Sequence, residues 1–356
     1  MRRTLASIVI GVGMGLMACL LLLGGLFLFY PTWLNDLLAE PTPISATQVP
    51  VSPTPKTTSP APRASVAPLA SPTPLPTLPP LPNGACGGPE QMTVALLGVD
   101  DRSQNYTIAT RTDAITLVNI NFARHTGALL SFPRDLYVPL PNLENHNITQ
   151  DRLNTAFEFG EVYKVQGGGP AEFKETIEWN FGLRVDRYVM VNFGAFETAI
   201  DALGGIDVDV PVAIYDPQYP TENYGTTVFS LPAGRQHMDG RTALRYARTR
   251  HQDNDYERVK RQQLVLLAVR DKLFSPQVIP KIPALIATLG KLARTDLSPA
   301  EIASLACIGA QIDRSAINAQ TIDSTMVIPW TTPGGAQVSI PNRERIAPVV
   351  DTFLGR

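Results

Sequence analysis

By its pattern of apolar and polar positions the chain divides into three stretches. No charged residue occurs from Thr4 to Asn35, and Leu5–Tyr30 is almost continuously apolar. A run of about 25 apolar residues spans a hydrocarbon layer roughly 30 Å thick as a helix, so one transmembrane helix is expected over residues 7–30. A cleaved signal peptide has a shorter apolar core followed by small residues. Leu16-Met17-Ala18-Cys19 loosely resembles a lipoprotein processing site, but "LLLLGGLFLFY" follows at once and suits a membrane interior better than a mature amino terminus. Arg2 and Arg3 lie on one side and Asp36 and Glu40 on the other. That asymmetry puts residues 1–6 in the cytoplasm and everything after Tyr30 outside, the expected topology of a single-pass cell-membrane protein with an extracytoplasmic domain.

Residues 31–90 form the second stretch, largely Pro, Thr, Ser and Ala, as in "PTPISATQVPVSPTPKTTSPAPRASVAPLASPTPLPTLPPLP". Such a composition buries too little apolar surface to offset chain entropy, and its prolines favour extended polyproline II. It reads as a disordered, semi-rigid spacer.

The third stretch, residues 91–356, is long enough for one domain with a substantial core. "MTVALLGVD" is an apolar run of the kind that forms a buried strand and delivers polar residues at its carboxyl end. "DAITLVNINF" and "HTGALLSFPRD" predict two more strands joined as a hairpin at "FARHTG". "GPAEFKETIEWNFG" has helical periodicity and a glycine stop, and "RYVMVNFGAFETAIDALGGIDVDVP" reads as strand, helix, Gly-Gly stop and strand. Asn254 is placed to cap a long helix, with Glu257 completing a capping box, and Ser298, Pro299 and Glu301 repeat the device. Alternating strands and helices predict an α/β domain, layered α-β-α around a central mixed sheet flanked by helices.

Charge changes this picture only locally. The net charge is -2, yet "RYARTRHQDNDYERVKRQ" gathers Arg245, Arg248, Arg250, Arg258, Lys260 and Arg261. A nucleic-acid binder would be basic along a whole face, so a small, defined anion is the better expectation, and nucleic acid is not expected as a partner. If "ARTR" is extended, Arg248 and Arg250 point the same way. On the following helix Arg258, Arg261 and Gln262 share a face near the amino terminus, where free N–H groups also favour an anion. Guanidinium groups grip phosphate oxygens in pairs, and a pyrophosphate can occupy several. The bland reading is a set of salt bridges among Asp253, Asp255, Glu257 and their neighbours, but it leaves Gln262 unexplained. A second cluster, Asp100, Asp101, Arg102, Arg111 and Asp113, surrounds the first strand's end and the second strand's start, and Arg134 follows the third. Two carboxylates at adjacent strand ends suit Mg²⁺, which prefers hard oxygens shared with substrate phosphates. His125, His146, His237 and His251 are scattered and suggest no zinc site. Cys86 and Cys307 lie in a compartment that permits disulfides, and their pairing is left open.

In the order "LLGVDDR", "TRTDAITLVNIN", "LLSFPRDLYVPLP", "RLNTAFEFG", "ALGGIDVDVP", "DGRTALRYARTR" and "DNDYERVKRQ", the chain resembles the LytR-CpsA-Psr family of bacterial cell-envelope proteins, most strongly from Met92 to Leu273. The resemblance implies a phosphotransferase that moves a glycopolymer from a polyprenyl-pyrophosphate carrier to peptidoglycan through a phosphodiester, releasing polyprenyl phosphate. By motif register it implies Mg²⁺ (or Mn²⁺) on Asp100 and Asp113. Arg111, Arg134, Arg248, Arg250, Arg258 and Gln262 would contact the pyrophosphate, with Asp255 in the same cluster and Arg102 and Arg261 at neighbouring positions. Asp101 competes with Asp100 as first metal ligand. The rivals are a pyrophosphatase or phosphodiesterase using water at the same site, and a module that binds polyprenyl pyrophosphate without chemistry. Phe157, Phe159, Trp179, Phe181, Leu264, Leu267 and Val269 are candidates for a lipid slot, each also compatible with ordinary core.

Overall fold

The structure, a computed structural model, describes residues 86–101, 110–221, 225–250, 252–278 and 293–356. The expected transmembrane helix, the spacer and Arg102 lie outside the described residues. Among the described residues no helix is long and apolar enough to cross a membrane.

Fourteen strands and seven α-helices are described. The strands are β1 (Gln91–Val99), β2 (Thr112–Asn121), β3 (Thr126–Phe132), β4 (Tyr137–Pro139), β5 (Gln150–Arg152), β6 (Arg187–Asn192), β7 (Ile206–Val210), β8 (Ile214–Pro220), β9 (Thr226–Leu231), β10 (Gly234–Met238), β11 (Ala293–Thr295), β12 (Ile317–Thr321), β13 (Val327–Thr331) and β14 (Gln337–Pro341). The helices are α1 (Ala156–Val162), α2 (Gly168–Phe181), α3 (Phe193–Ala202), α4 (Gly240–Arg248), α5 (Asp255–Leu273), α6 (Pro299–Gln311) and α7 (Arg343–Leu354).

Six strands form the central sheet in the order β11-β6-β1-β2-β3-β12. β6 and β1 are parallel, as are β3 and β12, while the other neighbours are antiparallel, so the sheet is mixed as expected. The central strand β1 is apolar at nearly every position because both of its faces are covered. Val94 and Leu96 join one buried cluster with residues of α3, α4, α5 and α6. Ala95, Leu97 and Val99 join the other, with residues of α1, α2 and α7. These two cores make the three layers.

Local signals account for many of the joints. The β2–β3 hairpin turns at Phe122–His125, with His125 at φ 54°. Gly204 and Gly205 take φ 77° and 80° where α3 turns back into β7, a conformation that favours glycine. Gly240 serves a different need: a Cβ there would lie 2.3 Å from the carbonyl oxygen of Glu197, so only glycine lets α4 pack this closely on α3. Asn254 caps α5 by accepting from the amides of Tyr256 and Glu257, but Glu257 turns to Lys260 at 2.7 Å instead of closing the box. At α6 the full capping box of Ser298 and Glu301 is present. Cys86 and Cys307 are joined by a disulfide, which ties the start of the domain to α6.

Candidate active site at one edge of the sheet

The mixed topology brings the first charged cluster together. β2 runs antiparallel to β1 and to β3, so its amino end lies beside the carboxyl ends of both. Gly98 faces Ala114 and Val99 faces Thr112, which leaves Asp113 in a bulge opposite the end of β1. Asp100 and Asp101 follow at that end; Asp101 is buried and Asp100 half-buried. Arg134 follows β3 at the same edge.

Asp113 is 3% exposed. Its Oδ1 accepts from Arg134 Nη1 and from Asn154 Nδ2, each at 3.0 Å, while its Oδ2 is buried and has no hydrogen-bond partner among the described residues. Burial raises the Asp113 pKa above the ordinary aspartate value, and the charges of Arg134 and Arg258 only partly oppose this. Burial also opposes the charge on Arg134, but Asp113, Asp135 and Asp255 outweigh it and hold that guanidinium above its usual range. Arg134 lies 3.4 Å from Asp135 and 3.8 Å from Asp255. Asp255 in turn holds Arg258 at 2.6 Å. Arg258 is almost completely buried, and burial brings its pKa down to about 10, which keeps it charged at neutral pH. Its Nε is buried without a hydrogen-bond partner.

Asp113, Arg134, Asp255 and Arg258 therefore form one continuous charged array, and Arg250 adds repulsion on Arg258 from the loop between α4 and α5. Arg111 stands at the rim, half-exposed, with its Nε 3.0 Å from Glu158. Arg248 is the last residue of α4, not part of an extended segment, because Asp239 caps this helix by accepting from Thr242 at 2.7 Å and the helix runs through the arginine. The expected fork of Arg248 and Arg250 is thus split across a helix end. Arg248 lies over the Phe193 ring at 4.2 Å and donates to the Tyr219 hydroxyl at 3.3 Å.

Arg261 and Gln262 face the end of α4. Arg261 donates to the carbonyls of Tyr246 and Thr249 and is paired with Asp253, so it clamps the segment that carries Arg248 and Arg250. Gln262 Nε2 donates to the Ala247 carbonyl at 3.4 Å. Among the lipid-slot candidates, only Leu267 lines the apolar cavity between the sheet and helices α5 and α6, together with Leu96, Leu129, Leu266, Phe274 and Ile312. Trp179 is 68% exposed on α2.

Asn154, Asp135, Glu158 and Tyr219 were not singled out as site residues by the sequence. Asn154 lay within "RLNTAFEFG", but nothing in its spacing told that its amide would reach Asp113. Asp113 with Asp100 or Asp101 could hold a small hard cation: the buried, unbonded Oδ2 of Asp113 is a free hard-oxygen donor, as Mg²⁺ or Mn²⁺ requires. No cluster of three or more metal-ligating side chains occurs among the described residues. Magnesium held by one or two carboxylates commonly completes its shell with water and substrate phosphates.

The LytR_cpsA_psr family model matches residues 85–349. The polyisoprenyl-teichoic acid–peptidoglycan teichoic acid transferase TagT of Bacillus subtilis is 34% identical over 213 residues, which is 59% of this chain and 62% of that protein. The corresponding TagU of Oceanobacillus iheyensis is 32% identical over 218 residues, 61% of this chain and 62% of that protein. This chain thus spans less than two thirds of the length of these relatives. Among solved structures, TagV of B. subtilis superposes with a TM-score of 0.59 at 25% identity, covering 75% of this chain and 98% of that one. TagT bound to LIIa-WTA gives 0.57 at 26% identity, covering 75% and 92%.

Proposed function

Because the chain belongs to the LytR_cpsA_psr family, we propose that it transfers a glycopolymer from a polyprenyl-pyrophosphate carrier to peptidoglycan by metal-assisted phosphoryl transfer. The observation that carries this reading is Asp113: a buried carboxylate with one oxygen held by Arg134 and Asn154 and the other without a hydrogen bond, beside the guanidiniums of Arg134 and Arg258. Phosphoryl transfer asks for positioning and for neutralised charge on the transferred group, which this array offers.

In this reading the acceptor hydroxyl oxygen bonds to the phosphorus attached to the glycan. The bond from that phosphorus to the bridging oxygen breaks, and polyprenyl phosphate leaves. Arg134, Arg258, Arg248 and Arg250 bind the pyrophosphate oxygens, and Arg111 reaches them from the rim. One of Asp100 and Asp113 takes the hydroxyl proton. Mg²⁺ or Mn²⁺ held by Asp113 with Asp100 would supply further neutralisation of the phosphates. Asp255 keeps Arg258 charged, and Arg261 and Gln262 fix the helix end that presents Arg248 and Arg250. The apolar cavity beside Leu266 and Leu267 suits the polyprenyl chain. A membrane helix over residues 7–30 would hold the domain near that lipid on the outer face.

The test mixes the full chain in detergent with a polyprenyl-pyrophosphate glycan and peptidoglycan fragments, and follows products by mass spectrometry. Glycan joined to peptidoglycan through phosphate supports the transferase. Free glycan phosphate would make the site a hydrolase, and binding without product would make it a capture module.

A further inference from the structure

A second feature lies at the same sheet edge and shares only Arg248 with the chemistry above. A cavity of about 700 Å³ lies beside α4, lined among others by Phe193, Glu197, Tyr219, Arg241, Arg245 and Arg248. The arginines are four and three residues apart, so they share one face of the helix along about 10 Å of its length. β6 pairs its last residue, Asn192, with Val99 of β1, so Phe193 at the cavity wall follows β6 at the step where Asp100 follows β1. Neighbouring strands are about 4.8 Å apart. The cavity therefore lies beside the sheet edge that carries the carboxylate cluster, with Arg248 in its wall.

The arginines are held in a particular way. Tyr219 is buried, and the guanidiniums of Arg245 and Arg248 each lie 5.8 Å from its ring centre. A cation–π contact of this kind attracts the guanidinium to the ring without using its N–H groups, which remain for oxygen ligands. Neither Arg241 nor Arg245 forms an ion pair among the described residues. Among the described lining residues, three cations thus accompany one carboxylate, Glu197, together with the hydroxyl-bearing Thr221 and Thr227. Hydroxyl and carboxylate groups suit a sugar, and the excess of guanidinium suits a sugar that bears negative charge.

We propose that this cavity is a glycan subsite selecting polymers whose sugars nearest the pyrophosphate carry a uronate or phosphate group, with Arg241 and Arg245 as the specificity-determining residues. The proposal rests on the phosphotransfer reading for its place in the reaction, but its binding half can be measured separately. Arg248 belongs to both sites and links them; Arg241 and Arg245 belong to the subsite alone.

The experiment uses the full chain in detergent and synthetic polyprenyl-pyrophosphate disaccharides that differ only in the outer sugar: glucose, glucuronic acid, or glucose 6-phosphate. Expected is a kcat/KM about tenfold higher for the charged probes, the size of one charge-assisted hydrogen bond. The Arg241→Gln/Arg245→Gln double variant should lose that preference while turning over the glucose probe normally, and the double lysine variant should keep it. In parallel, calorimetry measures binding of the same disaccharides without lipid or pyrophosphate, where the charged sugars should bind more tightly to the parent chain only. Equal turnover and equal binding of all probes would overturn the subsite and leave the transferase reading intact. Arg245-dependent binding of charged sugars without turnover of any probe would sustain the subsite and sink the transferase. A preference that survives the double glutamine variant would overturn the assignment to these arginines.

Discussion

Arg134 Nη1 donates to Asp113 Oδ1 at 3.0 Å, joining the end of β3 to the bulge at the start of β2. The pair is an uneven one. Asp113 is buried deeply enough that its pKa rises despite the arginine, so its ionised form costs stability that a neutral side chain would not.

Asp113→Asn should therefore separate activity from stability. Transfer falls by several orders of magnitude, while the melting temperature at pH 7 rises. A group whose folded pKa is raised contributes stability at low pH and loses it as pH climbs above the ordinary value of 3.8. The gain in the variant should accordingly shrink toward pH 3.5. Thermal unfolding at both pH values, beside an activity assay, checks this; a lower melting temperature at pH 7 would mean the carboxylate holds the fold.

Arg250→Ala and Arg261→Ala should behave oppositely. Arg261 clamps the Tyr246 and Thr249 carbonyls and Asp253 from a buried position, and leaving a buried hydrogen-bonding group unsatisfied costs about 1–3 kcal/mol. Arg250→Ala should abolish transfer and lower stability by less than Arg261→Ala does. Denaturant midpoints for the two variants decide it.

Glu172 offers a pH test away from the site. It is buried in α2, where burial raises its pKa and a hydrogen bond from Thr176 at 3.4 Å does not compensate. Glu172→Gln keeps that acceptor and removes the charge. Stability should rise at pH 7 and match the parent below about pH 4.5, with transfer unchanged. An unchanged melting curve at pH 7 would show that the carboxyl is paired well enough to stay ionised at no cost.

The Cys86–Cys307 disulfide closes a separation of 221 residues. Cross-links of this kind typically contribute about 2–4 kcal/mol by restricting the unfolded chain. Cys307→Ser should lower the denaturant midpoint accordingly, and adding reductant to the parent should reproduce the loss.

Much of the fold was legible because the central strands are covered on both sides. The apolar run of β1, the β2–β3 hairpin and the caps at Asn254 and Ser298 are local signals, read from a few adjacent residues. β12 joins the sheet beside β3 from nearly two hundred residues away, and no local pattern of half-exposed residues announces that. The site divides along the same line. Asp113, Arg134 and Arg258 stood out as charges at element ends, whereas Asn154, Asp135 and Tyr219 act through contacts made only by folding. The condition for aligning Arg248 with Arg250, an extended "ARTR", is not met, because the helix that contains Arg248 is set by Asp239, nine residues earlier.

The most direct test of the central claim is single-turnover transfer of a polyprenyl-pyrophosphate glycan to peptidoglycan fragments by the full chain, with and without Mg²⁺, for the parent and Asp113→Ala in parallel. The account predicts a phosphate-linked glycan–peptidoglycan product that depends on the metal and disappears in the variant. The same product formed at an undiminished rate by Asp113→Ala would contradict it.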